Sequence, residues 1–239
     1  MKTDARTDVG RVRAENQDAF YTNEQPIGNL PNLFVVADGM GGHAGGKQAS
    51  ETALQAIIEY IENSKEKNPN ILFEKAVQKA NQAVYKEANE KDLQGMGTTV
   101  VLASIDGRTL SIANVGDSRL YVVSPGSITQ ITRDHSLVEE MVRMGELERS
   151  KARLHPEKNV ITRAVGAAES CKVDFFKIGL EDEESVLMCS DGLSNMLDDE
   201  QIRNIMNSQR DVIEKTQKLV EAANNSGGKD NITVIVVEP

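Results

Sequence analysis

The sequence predicts an α+β fold in which antiparallel β-sheets are layered with pairs of α-helices. Strand patterns occur in blocks rather than in regular alternation with helices, which disfavours a parallel sheet. Asp106-Gly107 lies between two apolar runs, and this dipeptide is a strong hairpin signal. The 239 residues contain no repeat, low-complexity tract or Pro/Ser-rich linker, so we expect a single domain over residues 1–239.

The individual elements follow from the spacing of the apolar residues. The run LFVVA at 33–37 is short, apolar and followed by Asp-Gly, which is typical of a buried strand. Residues 47–63 and 71–89 carry apolar side chains at helical spacing, so each stretch predicts an amphipathic helix. The remaining predicted strands cover residues 98–105, 109–115, 118–124, 128–132, 185–190 and 231–237, and two further predicted helices cover 198–207 and 210–225.

Residues 136–168 differ from the rest of the chain. A short helical piece, LVEEMVRMG, is followed there by charged and irregular sequence. Such a stretch is typical of a surface excursion rather than of a core element. We call residues 136–168 the flap.

Composition disfavours several classes of function. The net charge of −10 argues against a nucleic-acid-binding protein, because gripping a phosphate backbone needs a basic surface. No window approaches the roughly 18 apolar residues of a membrane-spanning helix, and no apolar leader segment opens the sequence. Cys171 and Cys189 lie far apart without CxxC spacing, so we interpret both as small buried hydrophobic residues of a cytoplasmic protein.

Aspartates stand at the ends of several predicted strands. Asp38 and Asp191 end the runs LFVVA and SVLMCS, and each is followed by glycine. Asp18 opens the predicted strand AFYT, and Asp230 opens NITVIVV. If these strands run antiparallel, the four carboxylates reach one edge of the sheet, where Asp117 can join them.

A cluster of carboxylates indicates cation binding. Two ionised carboxylates ~4 Å apart repel each other by ~4 kcal/mol at a protein-like dielectric, so such a cluster needs protons or cations. Oxygen ligands favour Mg²⁺ or Mn²⁺, whereas zinc prefers His or Cys. Glycine after the acid lets the backbone turn tightly and brings its carbonyl within reach of an ion. A single Asp-Gly after a strand can equally be an ordinary turn, but that reading does not explain the full set.

The order of these residues resembles that of the metal-dependent serine/threonine protein phosphatases, the PPM or type 2C family, in its compact bacterial form. The resemblance spans nearly the whole chain, and the motifs keep the family's order and intervals. The motifs are Gly10-x-x-Arg13-x-x-Asn16-Gln17-Asp18, Val36-Ala37-Asp38-Gly39-Met40-Gly41-Gly42-His43, Gly97-Thr98-Thr99, Gly116-Asp117-Ser118-Arg119, Arg133-Asp134-His135-Ser136, Ser190-Asp191-Gly192-Leu193 and Asp230-Asn231-Ile232-Thr233.

The resemblance implies a central sandwich of two antiparallel β-sheets flanked by pairs of α-helices, in four α-β-β-α layers. It places metal ions in a channel at one end, with the flap beside the channel. Asp38 would bridge two Mn²⁺ or Mg²⁺ ions, and the Gly39 carbonyl would bind one of them. Asp191 and Asp230 would bind the other ion, and Asp117 together with Asp191 would hold a third.

The same resemblance assigns roles to residues around the metals. Arg13 resembles the phosphate-binding arginine, and Asp18 the residue that orients metal-bound water. Some members carry Glu where this chain has Gln17, and because an amide is a weaker ligand we do not count Gln17 as one. His43, in the glycine-rich stretch MGGHAGG, is a candidate general acid, although a metal-bound water could donate the proton instead.

The resemblance therefore implies hydrolysis of phosphoserine and phosphothreonine by direct in-line attack of a metal-bridging hydroxide, without a phosphoenzyme. Arg13 would offer its planar fork to two phosphate oxygens, although outside the motif it could be a simple surface charge. We interpret His135 and His155 as structural residues.

Two other functions stay open at this point. One is a narrow phosphatase for a single regulatory partner or a small phosphorylated metabolite, since the acids do not encode specificity. The other is an inactive module that binds phosphorylated partners, which the complete set of acids disfavours. We expect phosphorylated proteins as substrates, an opposing bacterial Ser/Thr kinase, no nucleic-acid partner, no membrane insertion and a monomer.

Overall fold

The computed structural model describes residues 1–93 and 95–239, apart from the side chains of residues 43 and 44. The strands are β1 Lys2–Asp8, β2 Asp18–Asn23, β3 Leu33–Met40, β4 Gly97–Thr98, β5 Val100–Asp106, β6 Thr109–Val115, β7 Arg119–Ser124, β8 Ser127–Gln130, β9 Asp174–Gly179, β10 Ser185–Cys189 and β11 Ile232–Glu238. The helices are α1 Gly42–Asn63, α2 Pro69–Glu90, α3 Leu137–Met144, α4 Arg149–Ala152, α5 Asp191–Ser194, α6 Asp199–Met206 and α7 Val212–Asn225.

The strands form two antiparallel sheets. The first sheet has the order β1-β11-β10-β7-β8, and the second has the order β2-β3-β5-β6-β9 with β4 paired to β3. Every pairing between these strands is antiparallel, as the sequence predicts. The hairpin expected at Asp106-Gly107 is confirmed, with Asp106 opposite Thr109.

Three apolar layers hold four layers of secondary structure together. Side chains such as Phe34, Val101 and Met188 fill the space between the two sheets. The helices α1 and α2 cover the outer face of the second sheet, and α6 and α7 cover the outer face of the first. The predicted α-β-β-α fold class is therefore confirmed.

Local signals define the helix starts. Asn68 precedes α2 and accepts a hydrogen bond from the Asn70 N–H, and Pro69 occupies the first helical position, where its missing N–H is not needed. Asp198 and Gln201 form a reciprocal capping box at the start of α6. The Asp211 side chain caps α7 by accepting a hydrogen bond from the Glu214 N–H. These caps hold the two helices that cover the first sheet.

The sequence did not predict β1 or β9. β1 has the polar sequence KTDARTD, without the apolar alternation that indicates a half-buried strand. Both strands lie at the edge of their sheets, where pairing with one neighbour replaces burial as the stabilising contact.

The flap contains α3 and α4 and leaves the sandwich between β8 and β9. Ser136 caps α3, and Gly145 ends it in the left-handed conformation. The return segment pairs back through Ile161 with Ser136 and through Val165 with Thr98. No helix in the described part of the chain is long and apolar enough to cross a membrane.

Candidate functional site

Two of the predicted acids lie opposite each other on neighbouring strands. Asp18 on β2 is the register partner of Asp38 on β3, and directly opposed antiparallel residues have Cβ atoms about 5 Å apart. Asp38 lies inside β3, which continues to Met40, so the prediction that it ends the strand was wrong. A Cβ on Gly39 would lie 2.0 Å from the Gly46 carbonyl oxygen, so this glycine permits close backbone packing rather than a tight turn.

The other pair of acids comes from the first sheet. Asp191 is the first residue of α5, directly after β10, and Asp230 lies just before β11. A Cβ on Gly192 would lie 1.9 Å from the Asn231 carbonyl oxygen, so the two segments touch through their backbones. The acids therefore meet across two facing sheets. The expectation of one sheet edge was wrong, because β2–β3 and β10–β11 belong to different sheets.

The five acids form one electrostatic cluster, which we call the acidic end. Removal from water, followed by the charges of its four acidic neighbours, holds the pKa of Asp38 well above its usual range. Desolvation and nearby acids also raise the pKa of Asp117, and they raise that of Asp191 to about 6. The carboxyls of Asp38 and Asp191 lie within hydrogen-bonding reach of each other. The members of the acidic end are Asp18, Asp38, Asp117, Asp191 and Asp230.

Two hydroxyl groups fix the carboxylate of Asp18. Ser190 Oγ and Thr233 Oγ1 donate hydrogen bonds to Asp18 Oδ2 at 2.7 and 2.6 Å. Burial raises the pKa of Asp18 to about 7, although both hydroxyls oppose that rise. Asp18 Oδ1 is buried and has no hydrogen-bond partner among the residues that the structure describes. A buried, unpaired carboxylate oxygen is costly unless something else binds it.

Asp117 presents a second oxygen of this kind. Its side chain is buried, and its Oδ1 has no hydrogen-bond partner within the described residues. The neighbouring Gly116 N–H donates to His135 Nδ1 at 3.0 Å, and His135 Nε2 lies 3.1 Å from Asp174 Oδ2. These contacts fit the predicted structural role of His135. His155 accepts a hydrogen bond from the Glu157 N–H on the flap.

Arg13 stands beside the acids in an open cleft. Its Nη2 donates to Asp230 Oδ2 at 2.7 Å, and this bond raises the pKa of the guanidinium. The Arg13 side chain remains 52% exposed, so a ligand in the cleft can reach it. The cleft measures about 680 Å³ and is also lined by Asp38, Asp191 and the flap residue Ile161.

The acidic end suits hard, hydrated cations. No group of three or more described His, Cys, Asp and Glu side chains is arranged as a ready metal centre. Mg²⁺ commonly keeps several waters and takes only one or two carboxylates, so paired acids are sufficient ligands. The unpaired oxygens of Asp18 and Asp117 and the raised carboxyl pKa values fit a site whose charge a cation neutralises.

Four other residues that the sequence analysis singled out have different outcomes. The side chain of His43 lies outside the described residues, so its role as general acid stays a prediction. Gln17 Nε2 donates to the Gly42 carbonyl at 2.9 Å. Neither Cys171 nor Cys189 forms a disulfide. Cys171 is only half-buried, so the prediction that it is buried was wrong. Cys189 is buried, and burial raises its pKa to about 12, as expected for an inert thiol.

Comparison with known proteins identifies the family. Residues 10–233 match the family model for protein phosphatase 2C. The chain belongs to the protein phosphatase 2C family. It is a metal-dependent phosphoprotein phosphatase by class, as the sequence motifs predict.

Relatives align over the full length of this protein phosphatase 2C chain. The chain is 39% identical to the serine/threonine phosphatase stp of Listeria welshimeri, over 100% of this chain and 96% of the relative. It superposes on the serine/threonine phosphatase of S. agalactiae with a TM-score of 0.92, 33% identity and 98% coverage of both chains. The catalytic domain of the phosphatase PstP, solved with two manganese ions, matches with a TM-score of 0.85 and 33% identity over 98% of this chain and 96% of that one.

Sequence reasoning assigned no role to three side chains that contact the acidic end. Ser190 and Thr233 stood inside recognised motifs, yet nothing in their spacing indicated that both reach Asp18. Asn195 donates to Asp191 Oδ2 at 2.8 Å. Its separation of four residues from Asp191, on a helical segment, was the available signal.

Proposed function

We propose that this chain hydrolyses phosphoserine and phosphothreonine in proteins by direct attack of water on phosphorus, without a phosphoenzyme. The observation that carries the proposal is the acidic end itself. Buried carboxylate oxygens without protein partners lie beside an exposed arginine in one open cleft. Such a site can hold cations and a phosphate dianion together, whereas a binding module has no need for it.

The chain's own residues supply distinct parts of the reaction. Arg13 can leave Asp230 and offer two parallel N–H donors to phosphate oxygens, which positions the group for in-line attack. Asp18 Oδ1 can accept a hydrogen bond from the attacking water, while Ser190 and Thr233 hold the other oxygen in place. His43 stays our proposed general acid for the departing serine or threonine oxygen.

The metal assignment follows the donor atoms. Asp38, the Gly39 carbonyl, Asp191 and Asp230 would hold two Mn²⁺ or Mg²⁺ ions, and Asp117 with Asp191 would hold a third. When bound, such ions lower the pKa of water and neutralise charge on the transferring phosphoryl group. The two manganese ions in the PstP structure support the proposal of two ions held by Asp38, Gly39, Asp191 and Asp230.

We also propose the biological setting. The phosphatases named among the relatives support phosphorylated proteins as substrates. A Ser/Thr kinase is the enzyme class that must supply such substrates. We therefore propose that a Ser/Thr kinase phosphorylates the proteins that this chain dephosphorylates. We further propose that residues 1–239 act as one domain and as a monomer.

A single assay tests this function. Purified protein is given p-nitrophenyl phosphate, a phosphothreonine peptide and a phosphorylated sugar, each with Mn²⁺, with Mg²⁺ and with EDTA. We expect turnover of the first two substrates only with added cation. Turnover of the sugar phosphate in strong preference to the peptide would favour a metabolite phosphatase. Folded protein that hydrolyses nothing with either cation would contradict the proposal.

A further inference from the structure

A single buried amide side chain holds both ends of the β1–β2 loop, which is residues 9–17. Asn231 Nδ2 donates hydrogen bonds to the carbonyl oxygens of Val9 at 3.0 Å and of Glu15 at 2.9 Å. Asn231 Oδ1 accepts a hydrogen bond from the Gln17 N–H at 2.8 Å. One side chain therefore fixes the backbone of this loop both where it leaves β1 and where it enters β2.

The middle of the β1–β2 loop is not held by packing. Residues 11–15 are all exposed, and Val12 alone leaves 68% of its surface open to solvent. The Arg11 N–H donates to the Gly228 carbonyl at 2.7 Å, which is a further backbone contact of the loop. A segment with few buried contacts moves easily unless hydrogen bonds at its ends restrain it. The three bonds of Asn231 therefore decide where the exposed part of the loop lies.

Asn231 also joins this loop to a predicted metal ligand. Its backbone N–H donates to Asp230 Oδ1 at 2.9 Å, while Arg13 Nη2 donates to Asp230 Oδ2 at 2.7 Å. The bond between Arg13 and Asp230 must break when Arg13 turns to a phosphate group. The side-chain bonds of Asn231 do not involve Arg13, so they can hold the loop in place while phosphate is bound.

An asparagine suits this position because its amide carries both donors and an acceptor. The two N–H groups of Nδ2 satisfy two carbonyls, and Oδ1 satisfies one backbone N–H. An aspartate could not donate to the carbonyls, and it would add a negative charge beside Asp230. Asn231 is only 5% exposed, so water does not readily replace a lost partner.

We propose that Asn231 is a positioning residue that sets the place of Arg13 relative to Asp230. The proposal rests on the proposed function, because it takes Arg13 as the phosphate-binding residue. With both ends of the loop fixed, Arg13 stands beside the acidic end before substrate arrives, and phosphate binding does not have to order the loop. Without the Asn231 side chain, Arg13 would meet the phosphate group from many positions instead of one.

Truncation of this side chain separates positioning from a general loss of structure. Asn231→Ala keeps the backbone N–H that binds Asp230 and the carbonyl that packs against Gly192. Cation binding should therefore survive the change, whereas phosphate binding should not. Asn32 provides a matched control, because it is 3% exposed and bonds the backbone N–H and carbonyl of Ile105 at 2.7 and 2.8 Å. It does not line the cleft that contains Arg13.

The experiment measures hydrolysis of p-nitrophenyl phosphate at saturating Mn²⁺, with inorganic phosphate as a competitive inhibitor. It compares the wild type with Asn231→Ala, Arg13→Ala, the double variant and Asn32→Ala. Calorimetry measures Mn²⁺ binding, and thermal unfolding checks that each variant is folded. Amide hydrogen exchange at Gln17 in the wild type gives a reading that needs no variant.

We expect Asn231→Ala to raise the inhibition constant of phosphate about tenfold and to lower kcat/KM about 10–100-fold. Mn²⁺ binding should stay within about twofold of wild type. In the Arg13→Ala background, the same change should alter kcat/KM by less than about twofold, because Asn231 acts through Arg13. Asn32→Ala should lower the unfolding temperature but leave the phosphate constant unchanged. The Gln17 amide of the wild type should exchange slowly.

Two kinetic results would overturn the positioning role while leaving the phosphatase function intact. One is an unchanged phosphate constant in Asn231→Ala, and the other is an equal loss of kcat/KM with and without Arg13. Fast exchange of the Gln17 amide in the wild type would overturn it too, even if Asn231→Ala did not fold. A folded wild type that hydrolyses nothing with Mn²⁺ or Mg²⁺ would overturn the positioning role and the proposed function together.

Discussion

The acidic end and the flap are held in place by different forces. At the acidic end, the backbone packs closely against neighbouring segments at Gly39 and Gly192. Two hydroxyl groups also donate hydrogen bonds to Asp18 Oδ2. In the flap, exposed ion pairs such as Lys151–Glu148 lie on the surface. Exposed ion pairs typically contribute about 0–1 kcal/mol each, so the flap is the weaker of the two regions.

The difference between the two regions suggests that they have different roles in the reaction. The acidic end is rigid and buried, and its carboxylates repel each other. The folded sandwich can hold these carboxylates together because cations can neutralise their charge. A polar flap can change sequence or position at small cost in stability. We therefore expect the chemistry to depend on the acidic end, and substrate choice to depend on the flap.

The largest expected effect is at Asp38. We expect Asp38→Asn to reduce turnover of p-nitrophenyl phosphate by about 10³-fold or more, because the acid predicted to bridge two ions is lost. The metal-free variant should also unfold at a higher temperature than the metal-free wild type, since a destabilising charge is removed. Asp106→Asn, at the exposed hairpin turn, is the control and should change neither value. Equal activity of Asp38→Asn and wild type would remove the acidic end from the mechanism.

A smaller effect is expected from the hydroxyls behind Asp18. We expect Thr233→Val to lower kcat about 10–100-fold, because Asp18 Oδ2 loses one of its two donors. Steady-state kinetics at saturating Mn²⁺ checks this, with Thr129→Val on an exposed strand position as the matched control. A variant with unchanged kcat would show that Ser190 alone positions Asp18.

The pH dependence of stability gives a third test. The pKa of Asp18 rises from 3.8 to about 7 on folding, so the folded chain binds more protons than the unfolded chain between these values. Stability of the metal-free protein must then fall as pH rises through this window. We expect the unfolding midpoint to drop by about 5 °C or more between about pH 5 and about pH 8. Saturating Mn²⁺ should flatten this slope, and a metal-free protein that gains stability with pH would contradict the assigned pKa shifts.

The smallest effect is expected in the flap. Lys151→Met breaks the exposed ion pair with Glu148, and Lys151 lies outside the cleft beneath the flap that Asp117 and Asp191 line. We expect turnover of p-nitrophenyl phosphate within about twofold of wild type, and a change in unfolding free energy below about 1 kcal/mol. A loss comparable with that of Thr233→Val would mean that the two regions are not separable.

The sequence predicted the fold class and most elements, because buried strands and amphipathic helices carry a clear apolar period. The long helices α1 and α2 and the strand containing Val35 are examples. The sequence did not predict β1, because its residues are polar and lack an apolar period. β1 is a strand because it pairs with β11. Period and composition describe single elements, whereas an edge strand depends on its neighbour.

The sequence predicted which acids lie in the candidate site, but it did not predict how the surrounding side chains contact them. Asp18 and Asp38 were identified by their motifs, and their direct opposition follows from the register of β2 and β3. Ser190 follows β10 and Thr233 lies in β11, and both are far from Asp18 in the chain. The packing of the two sheets brings their hydroxyls to Asp18. Contacts of that kind depend on tertiary structure, which spacing along the chain does not encode.

The most direct test of the central claim is a crystal structure of the protein with Mn²⁺, using anomalous scattering to locate the ions. We expect anomalous peaks within coordination distance of Asp38 and Asp191 in the wild type, and weaker or missing peaks in Asp38→Asn. Ions found only at surface positions away from the acidic end, in crystals of active protein, would contradict the account.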